Sequence, residues 1–278
     1  MAEASAHQHG QSPTGRALAF PVLLSRRTTK RLLAITGFVV LIVGWHLLAT
    51  SGLFARSLVP KPETIVGAFG KLFASGEGQE ALLASTTRVL FGVVIGVSLA
   101  IPVGLLLGWF WPIHALVDPQ LNFFRALPPI ALIPLVVVYL GIGENARVFI
   151  LAWSSFFVSV IIIYEGTVSL DPVLVKAAQV LGASQREVLT KVVLPMTVPV
   201  ILVAVRVAVA SGWGTLVASE LLAAQTGLGA TISQAANFFQ MDRVYAGIIM
   251  IGVMALIMDK VGRTAILRVV QWQDRVER

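Results

Sequence analysis

The sequence predicts an all-α polytopic membrane protein, and two observations carry that prediction. Of its 278 residues, 56 % are hydrophobic and only 13 % are charged, whereas a soluble domain carries roughly a quarter charged residues. Six runs, approximately 32–50, 87–110, 115–140, 146–164, 193–218 and 244–266, are apolar over the roughly 20 residues that a helix needs to cross a hydrocarbon core of about 30 Å. There is no cysteine, which excludes disulfides and thiolate metal sites. The net charge of +7 is read here as Lys and Arg held in cytoplasmic loops, not as a nucleic-acid surface.

Taken in order, residues 1–31 are expected to be a cytoplasmic tail, the polar and mixed stretch 1–25 being disordered. The two His in "HQHG" lack a third ligand and are not read as a metal site. Arg26, Arg27, Lys30 and Arg31 precede an apolar run too long for a signal-peptide core, with no small-residue cleavage site after it. The run 32–50 is therefore expected to be a retained first span. In "LVPKPETIVGAFGKLF", Ile65, Val66, Phe69, Leu72 and Phe73 recur at helical spacing, predicting an amphipathic helix along the outer surface. In the second run, Gly92-x-x-x-Gly96 and Gly104-x-x-x-Gly108 put small residues on two helical faces, where helices can approach closely. Pro128, Pro129 and Pro134 predict a bent or broken third span whose freed carbonyls face protein or a watery cavity. Gly227 and Gly229 predict a tight turn and then a short helix within 219–243. The transmembrane body is expected to end at 266, and 267–278 is expected to be a cytoplasmic tail.

Lys and Arg orient the spans. Five precede the first span, three lie in 165–192 and five run from Lys260 onward, against Arg56, Lys61, Lys71, Arg147 and Arg243 on the other side. This bias predicts that both termini and the 165–192 loop are cytoplasmic.

That loop is built with unusual care. Asp171-Pro172 reads as an N-cap with Pro at the first helical position. The helix should run to Leu181, and Gly182 can end it in a left-handed conformation. Ser184-Gln185-Arg186-Glu187 fits a capping box that starts a second helix running into the fifth span near Pro195. Two capped helices joined by the turn "GAS" would protrude into the cytoplasm. Ala177, Ala178 and Gly182 are small, so a partner could approach the backbone there, with Lys176, Gln179, Gln185 and Arg186 offering polar contacts. A docking role is favoured over a solvated connector.

Ionisable residues inside the spans need a partner or an inward-facing role, because a charge at the bilayer centre costs on the order of 2.5–3.5 kcal/mol. Arg206, Trp213 and Glu220 fall seven residues apart, near one helical stripe, flanked by Ser211 and Thr215. This stripe, with Arg125 beside the Pro-rich break, is the candidate translocation pathway, the alternative for the stripe being a seam between two copies of the chain. The competing reading for Arg206 is a brace bonding loosened carbonyls near Pro199. Arg88 and Asp118 are expected at interfaces, His46 and His114 as structural residues, and the Trp residues as interfacial anchors except Trp213.

"KAAQVLGASQREVLTKVVLP" (176–195) resembles the EAA loop of ABC importer permeases, with Ala177, Ala178, Gly182, Leu194 and Pro195 in register, Val192 for Ile and Lys176 where the pattern has Glu. "RALPPIALIPLVVVYLGIGE" (125–144) and "GWGTLVASELLAAQTGLG" (212–229) resemble the branch for taurine, aliphatic sulfonates, nitrate and bicarbonate, nearest to taurine permeases, over roughly 55–270. The resemblance implies six transmembrane helices of the type I ABC importer permease fold in a bacterial inner membrane. It implies a homodimer, two cytoplasmic ATPase subunits that bind ATP and Mg, and an external solute-binding protein. It also implies a coupling helix between the fourth and fifth spans, here Lys176, Ala177, Ala178, Gln179, Leu181, Gly182, Ala183 and Ser184. Lys176 puts an acidic contact to the ATPase at that position in question.

The chain has no G-x-x-x-x-G-K-[ST], so it has no phosphate-binding loop of its own, and no G-x-S-x-G, H-E-x-x-H or paired metal-ligand pattern. It is therefore expected to be non-catalytic, with no cofactor and no nucleic-acid partner. An ion-driven secondary transporter would need intramembrane carboxylates in discontinuous helices, and the spans offer little beyond Glu165 and Glu220. A membrane enzyme or scaffold is the third class.

Overall fold

The computed structural model describes residues 26–53, 55 and 58–269, and every regular element among them is helical. The expected tails fall mainly on residues 1–25 and 270–278, which lie outside the described residues. Residues 26–31 and 267–269 are helical, as the first and last turns of longer helices. Among the described residues, five helices are long and apolar enough to cross a membrane, or six if one bent pair counts as a single span.

The chain divides between Leu47 and Leu48 into two units. The first helix, α1 (Arg26–Thr50), is an uninterrupted apolar helix that carries the basic cluster on its opening turns. The remaining helices form one body. Helix α2 (Pro62–Ala74) starts with Pro at its first position and buries Ile65, Ala68 and Leu72 against α3 (Glu77–Trp109) and α11 (Met241–Val269). Of the five residues expected on its apolar face, Val66 and Phe73 lie instead on the exposed side.

The core is α3 packed on α6 (Glu144–Val168). Gly92, Gly96, Gly104 and Gly108 all meet this one helix, and not two different neighbours. A Cβ on them would strike Leu151, Ser155, Ile163 and Thr167 respectively. Each partner lies 59 positions after its glycine, so α3 and α6 run parallel and in step. Gly166 against Val200, and Ser154 against Ser211, show that α9 (Leu194–Ala223) runs antiparallel to α6.

Parallel α3 and α6 require the intervening residues to return the chain along the whole length of the pair. Helix α4 (Trp111–Ala126) and helix α5 (Pro129–Leu140) make that return with a 93° bend. The break falls at Leu127-Pro128, where Pro disfavours helical geometry in the preceding residue, and Pro129 opens α5. Pro134 sits inside α5 without interrupting it.

Helix α7 (Pro172–Val180) and the single turn α8 (Gln185–Val188) follow α6. A π turn, Leu189–Val193, then joins α8 to α9. Pro195 lies just beyond it and can neither donate to the carbonyl four residues back nor avoid crowding it, which favours the wider turn. Helix α10 (Leu228–Asn237) packs between α9 and α11.

Candidate functional site

At one end of the body, the start of α3, the start of α6 and the end of α9 meet in a charged cluster. Glu220 is fully buried and accepts from Arg88 Nη1 at 2.6 Å, Ser85 Oγ at 2.8 Å and the Gly229 amide at 2.9 Å. Arg88 also donates through Nε and Nη2 to both oxygens of Glu144 at 2.6 Å, and to the Thr226 carbonyl at 2.7 Å. Arg147 reaches Glu144 from one turn along, at 2.6 Å. The Ser85 hydroxyl accepts the Leu228 amide, tying in the start of α10. Gly227 sits at φ +127° against the Glu220 carboxylate and Arg88, where a Cβ would have no room. Arg88, expected at a membrane interface, is buried within the protein at this end, because two carboxylates and a carbonyl satisfy its guanidinium.

A cavity of about 310 Å³ opens beside this cluster, among Glu77, Glu80, Gln225, Gln234 and Arg243. Phe238 and Phe239 follow α10, 75 % and 74 % exposed.

The stripe Arg206–Trp213–Glu220 does not face a single environment. Arg206 donates through Nε and Nη2 to both Asp259 oxygens on α11, the second at 3.0 Å, so its partner is a carboxylate and not carbonyls near Pro199. Trp213 is buried, with Nε1 at 3.2 Å from Met258 Sδ on the same helix. Glu220 belongs to the Arg88 cluster. Helix α11 covers the middle of α9 and α3 covers its end, so residues seven apart meet different neighbours.

The other three pathway candidates do come together. Arg125, Ser211 and Thr215 line a cavity of about 170 Å³ at the α4–α5 break, with Ser154, Phe124, Trp153 and Phe157. Thr215 Oγ1 donates to Ser154 Oγ at 3.2 Å, and Ser154 Oγ lies 3.4 Å from Ser211 Oγ. Phe149, Trp153 and Phe157 repeat every fourth residue along α6, and Phe124 meets Trp153 edge-on at 5.6 Å. Ser154 is ten residues into α6, about 15 Å at 1.5 Å per residue, which is half a hydrocarbon core. Trp153 is thus an interior residue and no interfacial anchor. The stripe was visible in the sequence as F-x-x-x-W-x-x-x-F and was missed.

At the opposite end, α7, the turn and α8 protrude. Asp171 caps α7 by accepting the Val173 amide at 2.8 Å. Gly182 sits at φ +86°, and its amide bonds the Gln179 carbonyl. Ser184 and Glu187 form a reciprocal capping box, reinforced by Lys191 Nζ at 2.9 Å from Glu187. The helical stretch Gln185–Leu221 is 37 residues long, well beyond the roughly 20 that cross a bilayer, so Glu187 stands clear of the hydrocarbon. The Lys191 ammonium and the Ser184 donors pull its carboxyl down to about 2. Lys176, Ala177, Gln179 and Ser184 are exposed, and Ala178 and Ala183 are partly covered. Val180 and Leu181, side by side at the tip, are each 87 % exposed. Val180 was not among the expected contacts.

Among known proteins, residues 92–266 match the family model described as "Binding-protein-dependent transport system inner membrane component". A "Probable ABC transporter permease protein" of Brucella abortus (strain 2308) is 40 % identical over 252 residues, covering 91 % of this chain and all of that one. The taurine transport system permease protein TauC of Escherichia coli (strain K12) is 34 % identical over 261 residues, covering 91 % of this chain and 93 % of that one. In fold, the chain is similar to the permease in an inward-facing crystal structure of the MetNI methionine ABC transporter. That match has a TM-score of 0.60 at 21 % identity, covering 70 % of this chain and 95 % of that one. A helical body with five to six apolar spans, a model match over most of its length and full-length relatives together establish that the chain belongs to the ABC importer permeases, the inner-membrane components of binding-protein-dependent transport systems.

Proposed function

We propose that this chain forms the translocation pathway for a small anionic or zwitterionic solute, taurine- or sulfonate-like, delivered by an external binding protein and driven by a separate ATPase. The α7–turn–α8 element is the ATPase-docking site, through Lys176, Ala177, Ala178, Gln179, Leu181, Gly182, Ala183 and Ser184, now joined by Val180. The observation that carries this reading is the pair Val180 and Leu181, large apolar side chains held in water at the tip of a doubly capped element. An exposed apolar tip of this kind marks a protein contact.

In this reading both termini and α7 are cytoplasmic, and the Arg88 cluster lies at the outer end. The cavity beside Glu77 and Arg243, with Phe238 and Phe239, receives the binding protein. Two ATPase copies and a second copy of this chain complete the transporter. Arg125, Ser211 and Thr215 face the solute, whereas Arg206, Trp213 and Glu220 brace helices that must move together. The TauC relative favours taurine. Nitrate, bicarbonate and other small organic acids are the alternative cargoes.

The test is co-purification of the cognate ATPase with Val180→Ser/Leu181→Ser. Loss of two central apolar contacts, each worth about 2 kcal/mol at an interface hot spot, should weaken assembly by at least a hundredfold, with the unfolding temperature unchanged. Full assembly by this variant would refute the docking role. In parallel, Lys176→Glu reports whether charge at that position matters, and full tolerance would leave the contacts to Val180, Leu181 and the small residues Ala177, Ala178 and Gly182.

A further inference from the structure

We infer that the cavity at the α4–α5 break is a binding site for a small organic anion: its acidic head lies on Arg125 and the hydroxyls, and its apolar body lies against the aromatic stripe of α6. This rests on the reading that the cavity lines the pathway. It goes further by selecting organic anions over inorganic ones.

Three observations point the same way. Arg88, Arg147 and Arg206 each hold a carboxylate. Arg125 has no such partner among the described residues, and it is the one charged residue lining the cavity. A guanidinium that lines a cavity between the spans and has no acid of its own is suited to an anion that comes and goes.

The second observation is the hydroxyl chain. Thr87, Thr167, Thr190 and Thr197 spend their hydroxyls on the carbonyl four residues back. Thr215, Ser154 and Ser211 bond to one another instead, which leaves protons that can be redirected to an acceptor in the cavity.

The third is the aromatic part of the lining. Trp153 and Phe157 have ring centroids 4.8 Å apart, and Phe124 closes on both, at 5.6 Å and 6.0 Å. This wall offers nothing to a small, fully hydrated anion and a dry face to an alkyl or aryl body. At about 170 Å³, the cavity is several times the roughly 30 Å³ of one water, with room for both halves of such a molecule. No acid lines it, so the ammonium of a zwitterionic solute such as taurine would be held there by the aromatic faces alone.

The test uses the purified chain in phosphatidylcholine nanodiscs, titrated with sodium hexanesulfonate and read by tryptophan emission. Saturable quenching is expected, and sodium nitrate or bicarbonate at the same concentration should not compete. Arg125→Gln should weaken binding by about ten- to a hundredfold, as expected for a hydrogen bond to a charged group. Arg125→Lys should recover part of it, and Ser211→Ala/Thr215→Ala, which keeps the charge, should lose about tenfold. Equal competition by nitrate, or unchanged affinity in Arg125→Gln, would overturn the inference. So would suppression of binding by phosphatidylglycerol in the discs, which would make the occupant a lipid headgroup. ATP-driven uptake by the complete transporter is measured separately. If hexanesulfonate binds as described but uptake ignores Arg125, the pathway reading fails and the site stands.

Discussion

At the scale of single residues, the chain keeps most of its intramembrane charges in pairs, and the pairs differ in how far they are removed from water. Arg88 and Glu220 are both buried and share their remaining bonds with Ser85, Glu144, Thr226 and Gly229. Removing one member of such a pair strands the other. Arg88→Met should therefore cost on the order of 3–5 kcal/mol, read as the unfolding midpoint of the purified chain in detergent, and Arg88→Met/Glu220→Met should recover a substantial part. A single mutant no less stable than the double would show that the two charges are not coupled. Neither Arg88 nor Glu144 drew attention as a structural residue in the sequence. Their partners lie 132 and 56 positions apart, and no local spacing reports a contact of that range. Arg206 and Asp259 were hidden from one another for the same reason.

At the scale of elements, legibility follows how local the physics is. The α7–turn–α8 element was readable because caps act over three or four residues. Asp171-Pro172, Gly182 and the Ser184–Glu187 box each declare themselves within a single turn. The π turn before Pro195 was not foreseen, since a Pro can widen, kink or end a helix and its position alone does not say which. The stripe of Arg206, Trp213 and Glu220 was correct as geometry and wrong as a common environment, because spacing names a face without naming what covers it. Ser184→Ala should cost about 1 kcal/mol of local helix stability, as loss of an N-cap does, seen as faster amide exchange in residues 185–191. The box also has a pH signature. The folded-state Glu187 carboxyl sits at about 2, below its ordinary 4.5, so its contribution is complete above about pH 4.5 and is lost as pH falls toward 2. Exchange protection of α8 should be flat from pH 5 to 8 and should not depend on His titration.

At the scale of the molecule, the six apolar runs and the break at Pro128 were legible because membrane spans are declared by length and polarity alone. The relative direction of the spans needed the structure, which supplied it through the constant offset between α3 and α6. Orientation in the bilayer is testable because the chain has no cysteine. A cysteine in place of Leu181 and another in place of Phe238, each the sole thiol, should label with a membrane-impermeant maleimide from opposite sides of sealed vesicles, Leu181→Cys from the cytoplasmic side. Labelling of both from one side would sink the proposed topology.

The close fit of α3 on α6 has a mechanical consequence. Four glycines spread over 17 residues bring the two backbones into contact along most of a membrane thickness, so neither helix can slide or roll without a collision at several points at once. The pair behaves as a stiff strut of two bonded rods, with α7 leaving one end and the Arg88 cluster clasping the other. A thrust delivered to α7 has little compliance in which to dissipate along this strut. A displacement applied at one end would carry both helices together, and the 93° α4–α5 bend, beside the cavity, is where the chain between them is already broken.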